Sequence, residues 1–161
     1  TTSNKVLLGV KIVRGAYIEK ENNRAKVNNY KSPIQPNKKA TDQDYNSALA
    51  FALNNIEHIE LCAGTHNEES SELLTQLMKD REIPKNHPHI YFSQLYGMSD
   101  QISFNLADLG YNVSKYVPYG PVKSTLPYLI RRAEENTSIA GQIGKELRLI
   151  QEEKKRRKQL P

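Results

Sequence analysis

Four apolar runs, each followed by a segment with helical spacing, constrain this chain more than any other feature. They are VLLGVKIV (6–13), IELCAG (59–64), IYFSQL (90–95) and NVSKYV (112–117). Strands that alternate with helices pair in parallel, because the helix carries the chain back to start the next strand from the same end. The residues best suited to chemistry follow these runs directly: Arg14-Gly15-Ala16, Thr65-His66-Asn67, Tyr96-Gly97 and Tyr119-Gly120. A parallel α/β barrel collects such positions on one face, at the C-terminal ends of its strands. The pattern predicts four parallel strands with helices, half of a (βα)8 TIM-type barrel. No internal repeat beyond this alternation and no interdomain linker is visible. The expectation is one partial barrel domain over 1–161, with a basic tail at 151–161.

Lys11 interrupts the first run. A lysine within a buried strand is costly unless it meets an anion or a polar lumen. An edge strand with an exposed lysine explains the pattern equally well. Polar residues 19–29 suggest a helical turn, followed by the proline-punctuated loop SPIQPNKK (32–39), whose Lys38 and Lys39 suit either solvent or a phosphate. Thr41 or Asp42 is expected to cap the next helix, whose stripe of Tyr45, Ala48, Leu49, Ala52, Leu53 and Ile56 reads as core. Thr65-His66-Asn67 stands where a strand hands over to a helix N-terminus, which suits either helix capping or hydrogen bonding to a ligand's polar edge or phosphate. Ser99 or Asp100 is expected to cap a helix that Gly110 ends.

The fourth run leads through PYGP into a helix whose first turn is expected to hold Pro127. Leu126, Leu129, Ile130 and Ala133 form its apolar stripe. Tyr128, Arg131, Arg132 and Glu135 fall opposite, near enough along the helix to interact. Adjacent arginines make a fork for a carboxylate or phosphate, and an exposed ion-pair face is the plain alternative. A further helix with Leu147, Leu149 and Ile150 is expected beyond a break at 137–142.

The net charge of +5 equals the basic run KKRRK at 154–158. That run reads as a solvated helix end and gives little ground for a nucleic-acid partner. Cys62, the single cysteine, excludes an intrachain disulfide framework and a multi-cysteine metal site. His87 and His89 lack further ligands at metal spacing, so no metal is expected. The sequence shows neither a signal peptide nor an apolar run long enough to span a bilayer. Thr1 stands where an initiator methionine is normally found, as expected of a processed or excised piece.

KYVPYGPV followed by PYLIRRAEEN resembles the closing strand and last barrel helix of the proline dehydrogenase family. VKIVRGAY resembles that family's flavin-contacting strand, AGTHNE its next strand end, and FSQLYGMSD its flavin-facing strand. The resemblance covers about 6–157 and corresponds to the C-terminal half of the family's catalytic barrel. It implies FAD-dependent oxidation of L-proline to Δ1-pyrroline-5-carboxylate, with electrons passed to a quinone at a membrane surface. It further implies that Arg131 and Arg132 grip the proline carboxylate, that Tyr116, Tyr128 and Leu95 enclose the ring, and that Glu135 orients the arginines. No side chain is assigned as a catalytic acid or base.

Flavin contacts are implied for Lys11, Val13, Arg14, Gly15, Ala16, Thr65, His66, Asn67, Gln94, Arg132 and Glu135. Some relatives place the glutamine one position earlier, where this chain has Ser93. The resemblance also implies that the chain needs an N-terminal half barrel, or a second copy, for activity. Its location is expected to be cytoplasmic, peripheral to the inner membrane, or mitochondrial in a eukaryote. Two alternatives are a flavin barrel of the methylenetetrahydrofolate reductase type and a non-catalytic basic interaction module. The arginine pair argues against the first, and the lack of aromatic-basic interleaving outside the tail argues against the second.

Overall fold

The apolar runs become strands because alternate residues along them have a helix layer to bury against. The structure, a computed structural model, describes residues 6–137, 148, 151–152 and 154–158, without the side chains of 131–137. The elements run β1 (Leu8–Ile12), α1 (Ile18–Val27), α2 (Lys38–Asn54), β2 (Ile59–Gly64), α3 (Glu68–Asp80), β3 (Ile90–Leu95), α4 (Asp100–Asp108), β4 (Val113–Tyr116) and α5 (Val122–Thr137). The strands pair in parallel in the order β1-β2-β3-β4. Sequential parallel order, with helices in every connection, is the arrangement of half a (βα)8 barrel. The chain divides into two compact units, 1–117 and 118–161.

In the first unit, Ile59, Leu61 and Ala63 of β2 and Ile90 and Phe92 of β3 bury one sheet face against Leu49 and Leu53 of α2, Leu74 and Met78 of α3, and Ile102 and Leu106 of α4. Full burial of residues such as Phe92, Leu49 and Leu74 stabilises the unit by about 1.5–3 kcal/mol each. β1 is an edge strand, and Leu8 is 63% exposed. Lys11 is exposed on it.

Several boundaries differ from the expectations. The helical turn foreseen within 19–29 is a full helix, α1. The cap of α2 is Asn37, whose side chain accepts from the Ala40 N–H at 2.9 Å. Asn37 lies four positions before Thr41, and Asp42 has a different partner. Pro127 lies inside α5 instead of in its first turn. Pro121 already starts that helix, its carbonyl accepting from the N–H groups of Ser124 and Thr125 at 3.0 Å. Pro127 therefore denies the Lys123 carbonyl its usual helical donor.

In the second unit, Leu126, Leu129 and Ile130 of α5 remain 40–50% exposed, unlike the buried stripe of α2. Residues 154–158 are helical and exposed. Residues 138–142 of the expected break and the stripe of Leu147, Leu149 and Ile150 lie outside the described residues. Among the described residues, no helix is long and apolar enough to cross a membrane.

Candidate functional site

Strand register sorts the candidate residues by face. Lys11 pairs with Cys62, Cys62 with Tyr91, and Leu95 with Tyr116. Register partners in a parallel sheet share a face, and so do residues two apart along a strand. Lys11, Val13, Gly64, Ser93, Leu95 and Tyr116 therefore lie on the face opposite the helix-packed core. The ammonium of Lys11 stands 4.6 Å from the centroid of the Tyr116 ring, a cation–π contact between the two edge strands. Gly64 makes room for this arrangement. A Cβ there would lie 2.9 Å from Val13 Cγ1, 3.2 Å from the Ile12 carbonyl oxygen and 3.3 Å from Lys11 Cε.

The turn after β1 places its backbone at the strand edge and sends its charge elsewhere. Gly15 (φ 74°) supplies the left-handed conformation the turn needs. The Arg14 guanidinium turns to the helix layer, where it pairs with Asp42 and donates from Nη2 to Ser70 Oγ at 2.6 Å. It also lies 4.0 Å from the centroid of the Tyr45 ring. Ser70 Oγ donates onward to Asn46 at 2.7 Å. Burial pushes the Tyr45 phenol up to about 12, although the nearby Arg14 charge pulls the other way. Burial also raises the Asp42 pKa, but Lys38 and Arg14 outweigh it and hold the carboxyl below its ordinary value. Lys38 is thus paired within α2.

The turn after β2 divides its labour. Asn67 caps α3 by accepting from the Ser70 N–H at 2.8 Å, and Thr65 Oγ1 accepts from the Asn67 N–H at 3.0 Å. Both side chains build the turn, as the capping alternative expects. His66 instead places Nδ1 2.9 Å from Ser99 Oγ. Burial and then the charge of Lys115 depress the His66 pKa, so the ring is neutral at pH 7.

Gln94 belongs to the other face of β3, with Phe92 and Lys115. It is buried, with its Nε2 donating to the Thr65 carbonyl at 3.3 Å and its Oε1 accepting from Ser103 Oγ at 2.9 Å. Ser99, foreseen as a helix cap, makes no side-chain capping bond and adopts a left-handed backbone (φ 52°, ψ 43°). Lys115 Nζ donates to the Met98 carbonyl at 2.8 Å and to Asp100 at 2.7 Å, fastening the same turn. Ser99, Ser103 and Lys115 were not singled out as site residues. Strand alternation from Phe92 signals the direction of Gln94 and Lys115, whereas nothing local in the sequence signals the Ser99 contact.

In the second unit, Arg131, Arg132 and Glu135 fall within α5 and Tyr128 is partly exposed, while the side chains of the first three lie outside the described residues.

A family model described as proline dehydrogenase matches residues 1–145. The chain belongs to the proline dehydrogenase family.

It is 45% identical over 155 residues to proline dehydrogenase 1, mitochondrial, of Dictyostelium discoideum, covering 93% of this chain and 27% of that protein. It is 40% identical over 153 residues to hydroxyproline dehydrogenase of Bos taurus, covering 92% of this chain and 33% of that one. Among solved structures it resembles proline utilization A (PutA) from Bdellovibrio bacteriovorus inactivated by N-propargylglycine. That match has a TM-score of 0.72 at 31% identity and covers 80% of this chain and 13% of the other. The chain thus spans about a quarter to a third of the length of these two curated relatives. Its four parallel strands correspond to part of a TIM-barrel-type proline dehydrogenase fold. Neither the folate-reductase alternative nor the basic-module alternative finds support in these matches.

Proposed function

We propose that this chain is part of an FAD-dependent proline dehydrogenase, one partial barrel domain that acts together with a further half barrel or a second copy. The observation that carries the proposal is family membership over nearly the whole chain, combined with a strand edge whose residues suit a flavin. A lysine cation over an open sheet face, a glycine that keeps that face clear, and a neutral imidazole beside a helix N-terminus match an electron-poor ring with a polar rim and a pyrophosphate.

The residues proposed to hold FAD are Lys11, the backbone of Val13 to Ala16, and His66, with Arg132 and Glu135 from α5. Thr65, Asn67 and Gln94 support the same edge from behind through the hydrogen bonds that build its turns. When bound, the flavin would supply the acceptor for the hydride lost from the ring carbon beside nitrogen, as the nitrogen gives up its proton and the C–N bond becomes C=N. The rest is binding and orientation. Arg131 and Arg132 grip the substrate carboxylate, Glu135 orients that pair, and Leu95, Tyr116 and Tyr128 wall the ring. Precise placement of this kind contributes on the order of 7–11 kcal/mol to the rate in favourable cases.

The proposed product is Δ1-pyrroline-5-carboxylate, and the proposed electron acceptor is a membrane quinone, with a mitochondrial location in a eukaryotic source. The similar identities to proline and hydroxyproline dehydrogenases make both imino acids proper test substrates. In the complete enzyme, L-proline bleaches the flavin spectrum, and Arg131→Met raises the proline concentration needed by about 10–100-fold, as expected for lost charged hydrogen bonds. Flavin content stays near normal. Unchanged proline kinetics in that variant refute the carboxylate grip.

A further inference from the structure

Ser99 is the buried polar residue whose role the turn does not explain. It is 5% exposed and occupies the N-cap position of α4, yet its hydroxyl caps nothing. It also adopts a backbone conformation that residues other than glycine, asparagine and aspartate rarely enter. Its hydroxyl goes instead to His66, 33 residues earlier, at 2.9 Å.

The bonds around it form a closed circuit. The Ser99 carbonyl accepts from the Ser103 N–H at 3.2 Å, and the Ser103 hydroxyl donates to Gln94 Oε1 at 2.9 Å. Gln94 Nε2 donates to the carbonyl of Thr65, the residue covalently joined to His66. From outside the circuit, Lys115 fastens the carbonyl of Met98 and the carboxylate of Asp100, the two neighbours of Ser99. The imidazole and the hydroxyl facing it are therefore positioned by one buried network, and a satisfied network of this kind holds a single geometry.

The direction of the bond follows from satisfaction. Among the described residues, the Ser99 hydroxyl has His66 Nδ1 as its hydrogen-bond partner. If Nδ1 carried the proton, that buried hydroxyl would only accept, and its own hydrogen would have no acceptor. Donation from Ser99 to a bare Nδ1 satisfies both groups. We propose that Ser99 is a positioning residue that donates to His66 Nδ1, locking the ring in one orientation and in the tautomer with its proton on Nε2. His66 then meets its ligand as a neutral hydrogen-bond donor. This second step rests on the flavin reading above, and the first does not.

The test uses the complete enzyme with 15N-labelled histidine, in spectra that correlate ring nitrogens with ring protons. The His66 signals are identified by their loss in His66→Asn. The wild type shows His66 as a neutral Nε2–H ring with a hydrogen-bonded Nδ1. Ser99→Ala and Ser99→Gly both remove the hydroxyl, but only glycine also relieves the left-handed backbone. Both variants shift Nδ1 to the position of an unbonded acceptor and reduce the Nε2–H population. If Ser99 served the backbone alone, the glycine variant would melt at least as high as wild type and leave the ring signals unmoved. That result overturns the proposal, as does a wild-type proton on Nδ1. In the complete enzyme, Ser99→Gly weakens flavin binding about 10-fold. Shifted ring signals with flavin affinity unchanged leave Ser99 in its positioning role and refute the flavin contact of His66.

Discussion

The turns after β1 and β2 look equivalent in sequence, each a strand end followed by polar or charged residues, yet they use their side chains in opposite ways. After β1, Arg14 folds back into the helix layer and binds Asp42 and Ser70, leaving the backbone at the strand edge. After β2, Thr65 and Asn67 are spent on the backbone, and the His66 ring is held by the next turn. Position after a strand tells where a backbone will be. Where its side chain goes is decided by whatever partner lies within reach.

The largest expected effect comes from breaking the first arrangement. Arg14→Met leaves the Asp42 carboxylate with Lys38 as its remaining cation and removes the cation from above Tyr45. Loss of charged hydrogen bonds at such a half-buried pair costs about 1.5–3 kcal/mol. Urea unfolding measures it, and Asp42→Asn in the same background recovers part of the loss. Additive effects of the two changes show that the pair is not coupled.

A smaller effect is expected on the open face. Gly64→Ala forces a methyl against Val13 and against the Ile12 carbonyl, which as backbone cannot swing away. Overpacking of this kind costs about 1–3 kcal/mol. It displaces Lys11 as well, so flavin affinity falls together with stability. A fall in stability with flavin affinity intact separates Lys11 from the cofactor.

The smallest effect is a pH dependence that distinguishes the two turns. His66 has a depressed pKa in the folded state, so the unfolded chain binds its proton first, and stability falls as pH drops below about 6.5. Asp42 is depressed as well, and its contribution is lost only as pH falls through its ordinary value of 3.8 and below. His87 shares the upper step, because burial and His89 lower its pKa. His66→Asn reduces the upper step and leaves the lower one, while Arg14→Met diminishes the lower one. Melting temperatures measured from pH 7 to pH 3 resolve the two.

Much of the fold was legible because it depends on local pattern. The apolar runs at 59–64 and 90–95 match β2 and β3 residue for residue, since short apolar runs bounded by turn residues have few other places to go. Helix starts were less legible. Asn37 captured the start of α2 ahead of Thr41, and Pro121 started α5 ahead of Pro127, because several adjacent residues were competent to cap or begin each helix. The site divides in the same way. Alternation places Lys11, Leu95 and Tyr116 on one face and Gln94 on the other, a distinction already available from Phe92 two positions before. Asp42 and Ser70 lie 28 and 56 residues from Arg14, and Ser99 lies 33 from His66. No local spacing rule reaches across such separations.

The ammonium of Lys11 shields one tyrosine ring on a chain that contains no tryptophan. Near-ultraviolet absorption and emission therefore arise from tyrosine and phenylalanine alone. An anionic guest that draws the cation aside changes the surroundings of one of nine tyrosine rings, an optical sign of occupancy internal to this chain.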